Sequence, residues 1–406
     1  MVSTTGASAS VLIVAGEASG DLYGGLLMRA MGAAGALPAG YAGPPRFLGI
    51  GGPAMRAAGL APLGDAGVMG VTGLLEVLGS LRVIWRAYRE ACRALERPHG
   101  RPDLVLLIDY PDFNLRLARR AKKAGVPVLY FVSPQIWAWR KGRVRQIAGV
   151  VDRMLVILPF EEEIYRRAGV PVEFVGHPLL DLVRPERDRR QTLAPLGLDP
   201  RRTTVALLPG SRHNELRAHL PPMLAAAGIL KREFRDLQFV LPVAPTLGRE
   251  EVERIVRDLA ADDPTLIRPV LVVDGSYDAV GAADAAIVAS GTATLETALL
   301  GVPMVIVYRM NPLTYALARL ASDVPHVGMA NLIAGERLVP ELVQGDCRGA
   351  AIARELRRIL TDPAAAESMR RGLAGVRARL GRPGAIGRAA AAAWDMIGAA
   401  RGARVA

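Results

Sequence analysis

An α/β architecture of two doubly wound domains followed by a helical tail is predicted by three features of this 406-residue chain. Short, almost wholly apolar runs alternate with helical stretches, as parallel strands buried on both faces do when crossover helices join them. Three Gly-Val-Pro turns, at 125–127, 169–171 and 301–303, end a helix at glycine and open the next run. A charged, proline-containing stretch at 181–204 divides the runs into two sets.

The first domain, 1–180, is expected to carry strands at 11–15, 46–50, 104–109, 128–132, 154–158 and 172–175. The second, 205–362, is expected to carry them at 205–208, 238–241, 269–273, 286–289 and 304–308. Residues 363–406 are Ala/Arg-rich and helical, with no further strand. The length suits two cores better than one. A content of 51% hydrophobic and 22% charged residues describes a globular chain, not a disordered one. Ligands of such folds bind at the carboxyl ends of strands, so a cleft between the domains is the expected site.

Charge narrows the partners. The chain holds 51 basic and 39 acidic residues, a balance of +12, and only Lys122, Lys123, Lys141 and Lys231 are lysines. That field favours a nucleotide, a phospholipid surface or nucleic acid. Two cysteines, Cys92 and Cys347, exclude a disulfide scaffold or a thiolate zinc site and suit a reduced, cytosolic compartment. The apolar run 11–15 is too short for a signal peptide, and 285–308 is interrupted by Glu296, Gly301 and Pro303, so no membrane span is expected. The five histidines show no ligand spacing; neither metal nor cofactor is expected, and His177 reads as structural.

The polar loops carry the chemistry. Gly16-Glu17-Ala18-Ser19-Gly20-Asp21 follows the first strand. Either Glu17 and Ser19 touch a sugar or phosphate, or Ser19 and Asp21 merely cap the next helix. Gly49-x-Gly51-x-x-Ala54 fits the dinucleotide fingerprint formally, but its proline and the missing strand-end acid mark a chance match. Asp109 closes a strand, where a general base would project, whereas Asp112 and Asn114 stand where helix caps belong. Trp137 and Trp139 lie beside Arg140, Lys141, Arg143 and Arg145 and suit a sugar, a lipid headgroup or a base, with core tryptophans as the competing reading. Pro209-Gly210-Ser211-Arg212 opens a helix with amides and an arginine fork, an anion site suited to a diphosphate. Ser290-Gly291-Thr292-Ala293-Thr294-Leu295-Glu296 repeats the arrangement, with a Glu one turn in that suits ribose hydroxyls.

In their order and spacing these segments, with Tyr308-Arg309-Met310, Asn331-Leu-Ile-Ala-Gly335 and Leu338-Val-Pro-Glu-Leu342, resemble the lipid-A-disaccharide synthase family over roughly residues 10–345. One departure is Gly328-Met329-Ala330, where the family often has a proline before the asparagine. The resemblance implies a GT-B fold and an inverting, metal-independent glycosyltransferase without cofactor. It would join UDP-2,3-diacylglucosamine to 2,3-diacylglucosamine 1-phosphate, giving a β-1,6-linked disaccharide and UDP. It implies Asp109 as the base, with Asp112 next in line. Gly210, Ser211, Arg212, Ser290, Gly291, Thr292 and Glu296 would bind the nucleotide, and Glu17, Ser19, Asp112 and Asn331 would position donor or acceptor.

The implied setting is the inner face of the inner membrane, held peripherally, with no nucleic acid partner and with homodimer formation left open. A surface for it is legible at 74–95, where Leu74, Leu78, Leu81, Trp85 and Tyr88 recur at helical spacing beside an Arg82, Arg86, Arg89, Arg93 stripe. The preceding 67–75 segment is apolar and glycine-rich. Two rival readings are a lipid-free GT-B enzyme using UDP-N-acetylglucosamine and a basic nucleic-acid-binding protein. The first-half motifs oppose the former, and two nucleotide-type loops without any nucleic-acid module oppose the latter.

Overall fold

A computed structural model describes residues 8–38, 41, 43–63, 74–97, 100–135, 142–312, 314–316 and 325–405. The chain divides into two compact units: residues up to Pro178 together with those from Gly381 onward, and Leu179–Leu380.

The first unit is a seven-stranded parallel sheet. Its strands are β1 (Ser10–Ala15), β2 (Arg46–Ile50), β3 (Ala61–Pro62), β4 (Leu104–Ile108), β5 (Val128–Phe131), β6 (Arg153–Val156) and β7 (Val172–Phe174), in the order β3-β2-β1-β4-β5-β6-β7. Its helices are α1 (Ala18–Gly32), α2 (Pro53–Ala57), α3 (Leu74–Glu96), α4 (Pro111–Lys123), α5 (Arg143–Ala148) and α6 (Glu161–Arg167). The chain winds outward from β1 to β2 and β3, then returns to lay β4 on the other side of β1. That reversal makes β1/β4 the topological switch point, where open α/β sheets bind ligands. The register pairs Ala15 with Ile108 and Ile108 with Phe131, so β1, β4 and β5 end side by side.

Alternation along the central strands fills both faces. Leu12, Val14, Val105, Leu107 and Tyr130 pack against Ala87, Ala91 and Leu95 of α3 and Leu117, Ala118 and Ala121 of α4. On the other side α1 packs against the last helix, Ala385–Val405, where the buried Trp394 indole donates to the Met31 carbonyl at 3.3 Å. Arg388 fastens this return through the carbonyls of Val175, Arg382 and Pro383, and Arg401 through the Asp103 carboxylate at 2.8 Å.

The second unit is a six-stranded parallel sheet ordered β10-β9-β8-β11-β12-β13. These strands are β8 (Thr204–Leu208), β9 (Gln238–Pro242), β10 (Val270–Val272), β11 (Ala285–Ala289), β12 (Met304–Tyr308) and β13 (Glu341–Val343). Its first helices are α7 (Leu179–Leu182), α8 (Arg189–Leu193), α9 (His213–Glu233), α10 (Arg249–Asp262), α11 (Ser276–Gly281) and α12 (Thr292–Leu299). Here the switch point is β8/β11, and Leu208 pairs with Val288.

The 181–204 stretch is folded onto this unit. Asp188 and Gln191 form a reciprocal capping box at α8. The Arg189 guanidinium binds the Pro200, Ala282 and Arg202 carbonyls and the Asp284 carboxylate. The Asp278 carboxylate, 5% exposed, accepts the amides of Glu186 and Arg187. The helical tail divides too: Pro363–Arg379 packs on α12 of the second unit, while Ala385–Val405 belongs to the first.

Candidate functional site

At the first switch point two loops meet. Gly16 passes so close beneath Tyr110 that an added Cβ would lie 2.3 Å from its ring, so any side chain would force the loops apart. Tyr110 in turn stacks on Phe113 at 5.7 Å between centroids. Glu17, the N-cap of α1, is exposed and makes no side-chain capping bond; Ser19 is partly exposed. Of the two readings of this loop, the capping of α1 does not hold at Asp21. Its buried carboxylate reaches across to α2 and accepts the amides of Gly52 (2.7 Å), Ala54 (2.9 Å) and Met55 (3.0 Å). The fingerprint-like Gly49–Ala54 segment therefore has its helix N-terminus filled by an internal anion, with those three amides closed to a pyrophosphate.

Asp109 follows β4 in a left-handed conformation (φ 45°), and so does Tyr110 (φ 48°). Two consecutive non-glycine residues there carry strain that the surroundings must hold in place. Val132, after β5, is also left-handed (φ 63°), a true outlier for a β-branched residue. The Asp109 carboxyl is pushed up to about 7: burial opposes its charge most, the Glu17 carboxylate adds to this, and the Tyr110 N–H works against both. A carboxyl poised near neutrality can take a proton at physiological pH.

The expectation that Asp112 and Asn114 cap α4 is corrected. The N-cap is Tyr110, without a side-chain capping bond. Asp112 lies in the first turn, largely exposed, and pairs with Arg143 at 2.5 Å. Asn114 is fully buried and donates backward to the carbonyls of Ile108 (3.2 Å) and Asp109 (2.7 Å).

At the second switch point the loop after β8 is bound up with α9. Gly210 has φ 118°, and an added Cβ would meet the Glu215 side chain at 2.5 Å. The Glu215 carboxylate accepts the Ser211 amide at 2.9 Å and faces the Arg212 guanidinium at 3.4 Å. An internal carboxylate thus sits on the donors expected for a diphosphate. Arg212 is about half-exposed, leaving its guanidinium open to solvent as well.

His219 on α9 ties this loop to the one after β12. Its Nδ1 is 2.9 Å from the Pro209 carbonyl, and its Nε2 accepts the Arg309 amide at 2.9 Å. Burial pushes its imidazole down, so it stays neutral with the proton on Nδ1. The next residue, Met310, is held at both its N–H and its carbonyl by the Gln344 amide (2.9 and 3.1 Å), and Gln344 itself is left-handed (φ 52°).

Beside it, after β11, Ser290 donates to the Val327 carbonyl at 2.7 Å, while Gly291 (φ 148°) and Thr292 are exposed at the start of α12. Glu296 accepts from the Tyr277 hydroxyl at 3.1 Å, and burial pushes its carboxyl up. Asn331 is placed otherwise than the resemblance implies. Its side chain is fully buried and donates to the Val339 carbonyl and Glu341 carboxylate while accepting the Val339 amide. It holds a turn and presents no amide to a ligand.

The sites in the two units differ in character. The first offers a near-neutral acid beside Glu17, in the loops that carry Ser19 and Asp112; the second offers Arg212, the Gly291 and Thr292 backbone, and the Glu296 carboxyl. Sequence reading missed Glu215, His219, Tyr277 and Gln344. Glu215, four residues after Ser211 at a helix start, was the one with a local capping signal. Trp137, Trp139, Arg140, Lys141 and residues 67–73 lie outside the described residues, as do the side chains of Leu74, Leu78 and Leu81.

Solved structures share this architecture. UDP-GlcNAc 2-epimerase from Neisseria meningitidis bound to UDP-GlcNAc matches 92% of this chain and 97% of its own, with TM-score 0.58 and 11% identity. CalG4, the calicheamicin glycosyltransferase, matches 98% and 100%, with TM-score 0.56 and 17% identity. At such identities the likeness shows fold alone, and that fold is GT-B. Sequence gives the rest: the lipid-A-disaccharide synthetase family model matches residues 11–377. Lipid-A-disaccharide synthase of Syntrophus aciditrophicus is 49% identical over 95% of this chain and 97% of its own, and that of Geobacter sulfurreducens 46% over 97% and 99%. The chain belongs to the lipid-A-disaccharide synthase family and is a glycosyltransferase.

Proposed function

We propose that this glycosyltransferase joins UDP-2,3-diacylglucosamine to 2,3-diacylglucosamine 1-phosphate, with inversion and without a metal ion. The observation that carries the reading is Asp109, a buried carboxyl poised at about 7 at the switch point of the first unit. In one step the acceptor's 6-hydroxyl oxygen bonds to the donor's anomeric carbon as the bond from that carbon to the diphosphate breaks. The hydroxyl proton passes to Asp109, and the electron pair leaves on UDP.

Charge then grows on the diphosphate, where fixed donors lower the barrier. Arg212 and the amides at Gly210, Gly291 and Thr292 serve that role, while Ser211, held by Glu215, and Ser290, bonded to the Val327 carbonyl, shape the two loops; Glu296 takes the ribose hydroxyls. Glu17, Ser19 and Asp112 line the acceptor side, and Asn331 acts by shaping the turn. Incubating both substrates with the protein in EDTA tests the reading. Disaccharide 1-phosphate by mass spectrometry is the expected result, and absence of that product would overturn it.

Arg212→Ala should weaken UDP binding roughly tenfold by calorimetry. Charge-assisted bonds contribute about 1.5–3 kcal/mol, and half-exposure places this one at the lower end. Arg212→Lys should recover only part, because one ammonium cannot reproduce the fork.

The substrates reside in a bilayer, and the described helices include none long and apolar enough to cross one. A peripheral contact is therefore proposed at α3. Arg82, Arg86, Arg89 and Arg93 are exposed, and Trp85 is 60% exposed with the Arg89 guanidinium 4.5 Å over its ring. The neighbouring α4 adds exposed Arg116, Arg119, Arg120, Lys122 and Lys123. Each such cation near an anionic surface is worth about 1 kcal/mol. Changing the four α3 arginines to Gln should reduce co-sedimentation with anionic vesicles several-fold at low salt and leave UDP affinity intact. Undiminished co-sedimentation would move the contact elsewhere.

A further inference from the structure

The peptide joining Asp109 to Tyr110 is gripped from below. Its carbonyl accepts two hydrogen bonds, from Asn114 Nδ2 at 2.7 Å and from the Tyr130 hydroxyl at 2.5 Å, and both donors are fully buried. Asn114 extends the grip to the Ile108 carbonyl with the same nitrogen, leaving its own Oδ1 without a hydrogen-bond partner. A buried side chain that forgoes one of its bonds to hold a neighbouring backbone is spent on geometry. A trans peptide is planar, so its N–H and carbonyl point in opposite directions. With the carbonyl anchored in the core, the Tyr110 N–H must face the loop, where it meets the Asp109 carboxylate. The left-handed φ values at 109 and 110 are the backbone cost of that orientation.

We propose that Asn114 and Tyr130 are positioning residues: by anchoring the Asp109 carbonyl they aim the Tyr110 N–H, on the opposite edge of the same peptide, at the Asp109 carboxylate. The inference rests on Asp109 being the base. The N–H favours the charged carboxylate, against burial and against Glu17, so the grip keeps the base usable near neutrality. Among the described residues, the other charged or titratable groups around this peptide are the Asp112–Arg143 pair from α4 and α5 and Tyr165 from α6, facing Tyr110 and Tyr130.

The test is the pH profile of kcat/KM for Tyr130→Phe and Asn114→Ala, with the donor KM and thermal unfolding followed alongside. The acid-limb midpoint should rise by about one pH unit in each. Turnover then falls roughly tenfold at pH 6 and stays within about twofold at pH 9, with the donor KM unchanged. Because both side chains act on one carbonyl, the double variant should show less than the summed shift. Should Asn114→Ala fail to fold, Tyr130→Phe, which keeps the packed ring, decides alone. An unmoved midpoint with a uniform rate loss at every pH would reduce both residues to structural support. Full turnover in Asp109→Asn would instead overturn the base assignment itself.

Discussion

Asp109→Asn should lose most of its turnover while becoming more stable. The amide keeps the size of the carboxyl but cannot accept the acceptor's proton, and a positioned base is worth about 10²–10⁴ in rate. UDP affinity should be retained, since the diphosphate donors lie in the other unit. The stability gain follows from the same burial that tunes the base. An exposed Asp titrates near 3.9, whereas this one titrates at about 7 when folded. The native state thus binds its proton more tightly than the unfolded chain does. Stability attributable to Asp109 is fully present below about pH 4 and is lost as pH rises through 7. Above that, the buried charge costs on the order of 4 kcal/mol, which the Asn variant avoids. At pH 8 the variant should unfold at higher temperature or denaturant than the parent, and near pH 4 the advantage should vanish. A residue whose neutralisation destroys activity and raises stability is held in its place for chemistry. Wild-type turnover in this variant would pass the role to Asp112, the exposed carboxylate paired with Arg143.

Much of this site was legible because parallel sheets announce their working edge. The central strands are unbroken apolar runs, so the first polar residues after them, Glu17, Asp109, Ser211 and Ser290, could be placed at carboxyl ends from sequence alone. The strands that escaped were edge strands. β3 is two exposed residues including a proline, and β13 begins with Glu341, whose carboxylate is consumed by the Val327 and Gly328 amides. Neither carries the hydrophobic pattern that marks a buried strand. Contacts between distant segments escaped for a different reason. His219 bonds Arg309 across 90 residues, and Asp21 caps a helix more than thirty residues away. No local pattern encodes such partners. Asn331 shows the limit of carrying a role over by resemblance. The resemblance implies a substrate contact, yet its amide is wholly spent on Val339 and Glu341.

The pH dependence of the reaction should carry the signature of one buried carboxyl and its neighbour. With a midpoint at about 7, kcat/KM should fall tenfold per unit on the acid side, reaching about 1% of its alkaline plateau at pH 5. The acceptor's phosphate also titrates in this range, since a phosphomonoester has its second pKa near 6. The parent profile alone therefore does not assign the limb. Glu17 separates the two. Its carboxylate is the nearby like charge that opposes ionisation of Asp109, so Glu17→Gln should lower the midpoint and leave the burial contribution in place. The midpoint should then lie between 7 and the ordinary carboxylate range, and activity at pH 5.5 should rise relative to the plateau. The plateau drops if Glu17 also touches the acceptor, so the midpoint is the quantity to read. Ionisation of a substrate phosphate would be indifferent to this substitution. A midpoint unchanged in Glu17→Gln would thus assign the acid limb to the substrate and remove the support that titration gives to Asp109.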